Sequence, residues 1–148
     1  MGVEAQVDGD EAWGTAADAL LERVRAATDT GVDDGLALIQ QEAQRNLSLT
    51  SHPPRTPTPS RPGDPPALIS GALRRAVKAR RDRRGPDVFS GGVGPAIVYG
   101  PIQERGGWAG AGHRSYLPPR PYLRPAALVA APKVRKLFAD AWTRAIKG

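Results

Sequence analysis

Cysteine is absent from the chain, which removes disulfides, thiolate metal ligands and any cysteine nucleophile. Histidine occurs only at His52 and His113, far apart and without ligand-like spacing to carboxylates, so neither a metal centre nor a cofactor is expected. Aromatic residues are 5% of the sequence, and the core must therefore be built mainly from Ala, Val, Leu and Ile. No run approaches the ~18 apolar residues of a membrane span. The acidic N-terminus lacks the basic and apolar regions of a signal peptide. These absences predict a soluble chain made in a cytoplasm, with no membrane partner. Ser, His and acidic residues form no recognisable nucleophile or acid–base grouping, so an enzyme is not expected.

Proline and glycine are plentiful instead. The 15 Pro and 17 Gly in 148 residues exceed ordinary usage and predict a small core with long extended arms. The length fits one domain, and such a core gains stability from neighbouring subunits. The net charge of +6 is uneven: acidic residues concentrate before Gln44, whereas Arg and Lys dominate afterwards. A basic body suits nucleic acid or an acidic protein partner. Enrichment of Arg, Ala, Gly and Pro by a high-GC genome accounts for the same bias equally well.

Residues 1–10 hold little apolar content and are expected to be a flexible arm. Residues 11–49 form a helical region. Trp13, Ala16, Ala17, Leu20, Leu21, Val24 and Ala27 recur at helical spacing, with Asp10 as a plausible N-cap. Thr30-Gly31 is expected to end this helix, and a second carries Leu36, Ile39, Ala43 and Leu47. Residues 51–66 contain seven prolines and are expected to form a polyproline-like connector, either a semi-rigid linker or an arm lying on a neighbour.

Residues 67–148 hold the remaining elements. A short helix opens at Ser70, its outward side continuing into Arg74, Arg75, Lys78, Arg80, Arg81, Arg83 and Arg84. Contact with DNA phosphates, contact with an acidic partner and a solvated face are all compatible with this run. No aromatic residue interleaves with it, so base stacking is not indicated. Val88-Phe89 is expected to pair as a short strand, Gly91-Gly92 to turn, and Val93 to Tyr99 to form the main strand. Pro101 suits the first position of a helical turn. Gly106 to Gly112 is expected to be a flexible loop; it lacks the Lys-Ser/Thr of a phosphate loop. After an extended Pro118 to Pro125, an amphipathic helix follows Pro132, with Ala126 to Ala131 as an earlier turn. The fold class expected is α+β, with a small, mostly antiparallel sheet between helices at both ends.

Three phrases, in order, carry a resemblance. Ser70-Gly71-Ala72-Leu73-Arg74-Arg75-Ala76-Val77 is similar to a Thr-Gly-x-Leu-Arg-x-Ser-Ile pattern. Val93-Gly94, Tyr99-Gly100 and Glu104-Arg105-Gly106 follow a Val-Gly, Tyr-Ala, Glu-Phe-Gly series. Arg120-Pro121-Tyr122-Leu123-Arg124-Pro125-Ala126 differs from Arg-Pro-Phe-Leu-Arg-Pro-Ala only by Tyr for Phe. The pattern resembles the tail-completion, or neck, proteins of HK97-type tailed phages, and departs from it at Gly100, at Arg105 and in the long proline-rich segment. The resemblance implies a structural protein of the virion, assembled in the host cytoplasm. It implies a homo-oligomer, a hexameric ring, at the head-to-tail junction around the DNA channel. Its partners would be head-connector or stopper proteins and tail terminator or tube proteins, with nonspecific contact to double-stranded DNA in the channel. Tyr99, Glu104, Arg105, Arg120, Tyr122, Leu123 and Arg124 are then candidate subunit contacts, with docking of the C-terminal helix inside the same chain as the plainer role. Glu104 is expected to pair with Arg120, with Arg124 or with a neighbour's arginine. The rival reading is a basic module that binds nucleic acid without sequence preference.

Overall fold

The computed structural model describes residues 10–56, 60–85 and 87–148, except the side chains of 10 and 83–85. The proposed frayed arm, the Asp10 cap and the side chains of Arg83 and Arg84 therefore lie outside the described residues. The architecture is α+β: helices at the two ends of the chain pack against a small antiparallel sheet.

A single helix, α1 (Asp10–Asn46), replaces the expected pair. Thr30-Gly31 does not stop it, because Gly31 and Gly35 sit on one face where the C-terminal helix α4 (Leu123–Lys147) presses close. A Cβ at Gly31 would lie 2.8 Å from Phe138 Cε1, and one at Gly35 would lie 3.2 Å from Val134 Cγ1. The absence of side chains there permits contact between the helices, which outweighs the roughly 1 kcal/mol penalty of a mid-helix glycine. The two helices run antiparallel. Trp142 Nε1 donates to Thr28 Oγ1 at 2.9 Å, and Lys133 pairs with Glu42 at 3.2 Å.

The basic run is mostly strand. After α2 (Ala72–Ala76) the chain enters β1 (Val77–Gly85), paired antiparallel with β2 (Val88–Pro95). Gly91 and Gly92 lie within β2, opposite Arg81 and Arg80, and not at the chain reversal, which follows Gly85. Gly91 is needed in the strand: a Cβ would meet Leu36 Cδ1 of α1 at 2.5 Å and the Arg80 carbonyl oxygen at 2.6 Å. The expected strand from Val93 to Tyr99 stops at Pro95, since Ile97 to Tyr99 turn into α3 (Gly100–Arg105) with Pro101 in its first turn, as anticipated.

Gly106 to Gly112 is not an open loop. It belongs to a second hairpin, β3 (Gly107–Ala109) with β4 (Ser115–Leu117), joined by a 3-10 turn at Ala111–His113. Trp108 and Tyr116 clasp edge-to-face across it at 5.4 Å. The proline-rich connector also folds back instead of extending. Ser51 bridges Leu68, Gly63 N–H donates to the Pro119 carbonyl at 2.9 Å, and Ala67 N–H donates to Ser60 Oγ at 2.7 Å. Helix α4 starts at Leu123, well before Pro132. Pro132 is exposed, so the Leu128 carbonyl that it leaves without an intrahelical donor stands on the water side. The core is small: Ala43 of α1, Leu47 just after it, Val77, and Tyr122 and Ala126 at the start of α4, flanked by Leu73, Val93 and Leu123.

Candidate functional site

The motif residues converge on one joint, where α3 meets the start of α4. Glu104, on α3, points its carboxylate at the first turn of α4. Its Oε2 accepts the N–H groups of Tyr122 at 2.7 Å and Leu123 at 2.8 Å, and its Oε1 accepts that of Arg124 at 2.9 Å. The fourth residue of that turn is Pro125, which has no N–H to satisfy. All the free donors of this helix end are thereby accounted for, and the carboxylate also faces the positive end of the helix dipole. The carboxylate bonds backbone in place of the arginine partners anticipated from sequence. Arg120 N–H donates to the Gln103 carbonyl at 2.7 Å and Asn46 Nδ2 to the Tyr122 carbonyl at 3.0 Å, which ties α3 and α1 to the same point.

Tyr122 is fully buried in this joint, beneath Gly100, and Leu123 packs half-buried against the core. A Cβ at Gly100 would strike the Pro95 ring at 2.3 Å, which explains glycine where the resembled pattern has alanine. Tyr122, Leu123 and Glu104 thus serve the docking of α4 within the chain, while Tyr99, Arg105 and Arg124 stay exposed. Burial, then the neighbouring Glu104 carboxylate, push the Tyr122 phenol above its usual value of 10.0. The unfolded tyrosine ionises near pH 10 and the folded one does not, so stability present below pH 10 falls as pH rises above it. Unfolding of the wild type between pH 9 and 11 should steepen, relative to Tyr122→Phe, by up to ~1.4 kcal/mol per pH unit. Equal slopes would show that the phenol contributes nothing.

Beside the joint lies a groove of about 550 Å³, between the folded-back connector and α2. Leu47, Leu68, Leu73 and Tyr99 make its apolar surface, and Arg74 and Arg120 also line it. Among the described lining residues there is no carboxylate. Arg120 is 7% exposed; its Nε donates to the Ser60 carbonyl at 2.9 Å, and no carboxylate among the described residues pairs with it.

The basic run does not make one patch. Arg74 Nη1 donates to Ser48 Oγ at 3.1 Å and Arg75 Nη1 to the Ser70 carbonyl at 3.0 Å. Arg81 turns toward α1, pairing with Asp29 and, at 3.3 Å, with Asp33. Lys78 and Arg80 are exposed, and Arg80 is 3.3 Å from Asp82. Alternation along β1 divides the cations between a protein-facing side and a water-facing side. The structural glycines and the connector's tie to Arg120 were missed at the sequence level. The four-residue spacing of Gly31 and Gly35 was the signal for the first, since it puts both on one helix face.

No family model matches the chain, and no curated protein or solved structure is significantly similar to it.

Proposed function

We propose that the chain is a structural, non-enzymatic virion protein of a long-tailed double-stranded DNA phage. Copies assemble in the host cytoplasm into a ring, sixfold by the resemblance, at the head-to-tail junction. The ring surrounds the DNA channel and meets head-connector proteins on one side and tail proteins on the other. One observation carries this reading: the three phrases of the resemblance, separated in sequence, build a single joint. Val77, Tyr122 and Ala126 share the core, with Leu73 and Val93 packed against them. Glu104 of the second phrase caps the helix opened by the third. Residues of all three phrases thus act on one another in this fold, which supports the reading.

Incomplete burial supports assembly. Val98 is 98% exposed and Trp13 77%, and Trp108, Tyr116 and Ile146 are also largely open to water. A chain with so small a core gains from covering such surface with other subunits. The competing reading, a sequence-blind nucleic-acid module, needs the basic run as one continuous face, and Arg81 is committed to α1 instead.

The test is the mass of the full chain in solution by light scattering, at physiological and high salt, alone and with the head-connector and tail proteins of its phage. A discrete ring is expected, or a 15.7 kDa monomer that becomes one with those partners, with weak DNA binding at physiological salt. A strict monomer that ignores those partners yet binds duplex DNA tightly, and releases it as salt rises, would overturn the proposal in favour of the module.

A further inference from the structure

In the first third of α1, Leu20 is half-buried and Glu22 pairs with Arg25 at 2.7 Å, but the turns before them face water among the described residues. Helix α4 ends beside Arg23, with Gly148 at its guanidinium, so residues 10–22 run past the body. At 1.5 Å per residue this overhang is about 20 Å long. Residues 11–19 are all exposed, and Trp13 is 77% exposed. An isolated helix of that length is marginal in water and needs a surface to lie on. The overhang is also acidic: the sequence before Arg23 holds Glu4, Asp8, Asp10, Glu11, Asp18 and Glu22 and no Lys or Arg.

The groove has the opposite character. Its surface is largely apolar, its charged lining residues are arginines, and Arg120 is buried without a carboxylate among the described residues. A buried guanidinium is costly unless an anion joins it. An acidic helix bearing a tryptophan anchor is complementary to such a groove in charge and in apolarity.

We infer that the α1 overhang of one copy docks in the groove of a second copy, Trp13 entering it and the flanking carboxylates facing Arg74 and Arg120. The occupant cannot come from the same chain. The groove lies at Leu47, just past the C-terminal end of α1, and Trp13 lies near the N-terminal end of that same unbroken helix. The 34 residues between them span about 50 Å. With donor and acceptor at opposite ends of one rod, the contact is head-to-tail. Repetition of such a contact closes a ring or extends a filament. The contact stands on these observations alone; its closure into a ring rests on the function proposed above.

The experiment uses two variants, each shown by circular dichroism to fold, that each keep one half of the contact. One lacks residues 1–22 and retains the groove. The other, Ile69→Glu, retains the overhang and places a carboxylate in the groove at a residue already 56% exposed. Arg74→Glu replaces it should circular dichroism show that Ile69→Glu is unfolded. The wild type should associate with rising concentration, more weakly at high salt, and Trp13→Ala should weaken association at least tenfold. Each half-variant should be monomeric alone, and an equimolar mixture should give a one-to-one dimer and nothing larger. A wild type that stays monomeric, a truncated chain that associates as before, or a mixture of folded variants that fails to pair would each overturn the inference. A monomer that still assembles on head-connector or tail proteins would sink this contact and leave the neck assignment standing. A chain that pairs in this way yet ignores those partners would do the reverse.

Discussion

Replacing Glu104 with alanine should destabilise the protein by about 3 kcal/mol, roughly the sum of a lost N-cap and the desolvation of stranded donors. Three backbone N–H groups, those of Tyr122, Leu123 and Arg124, depend on this one carboxylate. Two of them are partly buried, where water does not fully replace the lost acceptor. The loss also reaches beyond the helix end, because the same turn carries Tyr122 into the core and holds Asn46 of α1. Against a typical domain stability of about 5–15 kcal/mol, a change of this size is visible in any unfolding curve. Glu104→Gln keeps the shape and an acceptor oxygen but loses the charge at the helix terminus, and should cost about 1–2 kcal/mol. Urea unfolding followed by circular dichroism gives both values, and amide hydrogen exchange at Leu123 and Arg124 localises them. A Glu104→Ala protein within ~0.5 kcal/mol of wild type, the range of an ordinary surface change, would refute the cap.

Gly31→Val should be of similar size, about 2–4 kcal/mol, through overpacking of the α1–α4 contact and the poor helix propensity of a β-branched residue. The first added carbon would already lie 2.8 Å from Phe138 Cε1, and the Phe138 ring is itself held at 5.4 Å from Trp142. The two helices must part or the ring must turn. The same reasoning predicts rescue: Phe138→Leu in the Gly31→Val background should recover part of the loss, although Phe138→Leu alone destabilises. A double-mutant cycle by thermal unfolding measures this coupling. Strict additivity of the two changes would mean that the close approach is not what requires glycine. At Gly14, where nothing lies within 4 Å, alanine is expected to be neutral or to favour the helix.

Neighbouring residues made much of the fold legible. The apolar spacing of Val134, Leu137, Phe138 and Ala141 defines the C-terminal helix locally, and Pro101 marks the start of α3 through its fixed φ. Strand β1 was hidden because Arg and Lys are better helix formers than strand formers. Hairpin pairing with β2 overrides that preference, as does the reach of Arg81 to Asp29 and Asp33, more than forty residues away. Gly91-Gly92 resembled a turn for the same reason. Only the approach of Leu36 makes glycine necessary inside the strand.

The sequence by itself determined the α+β class, the helices at either end, the lack of thiol chemistry and the division between an acidic start and a basic remainder. Each of these follows from composition or from periodicity over a few turns, where local sterics and side-chain alternation suffice. The tertiary structure decided that α1 continues through Gly31, that the proline-rich segment folds back onto the core and that Glu104 caps a helix instead of meeting an arginine. It also decided that Tyr122 is buried and that the acidic overhang and the cationic groove stand at opposite ends of one helix. These depend on contacts between residues distant in the chain. Their energies, a few kcal/mol each, exceed the fractions of a kcal/mol by which most residues prefer one local conformation to another.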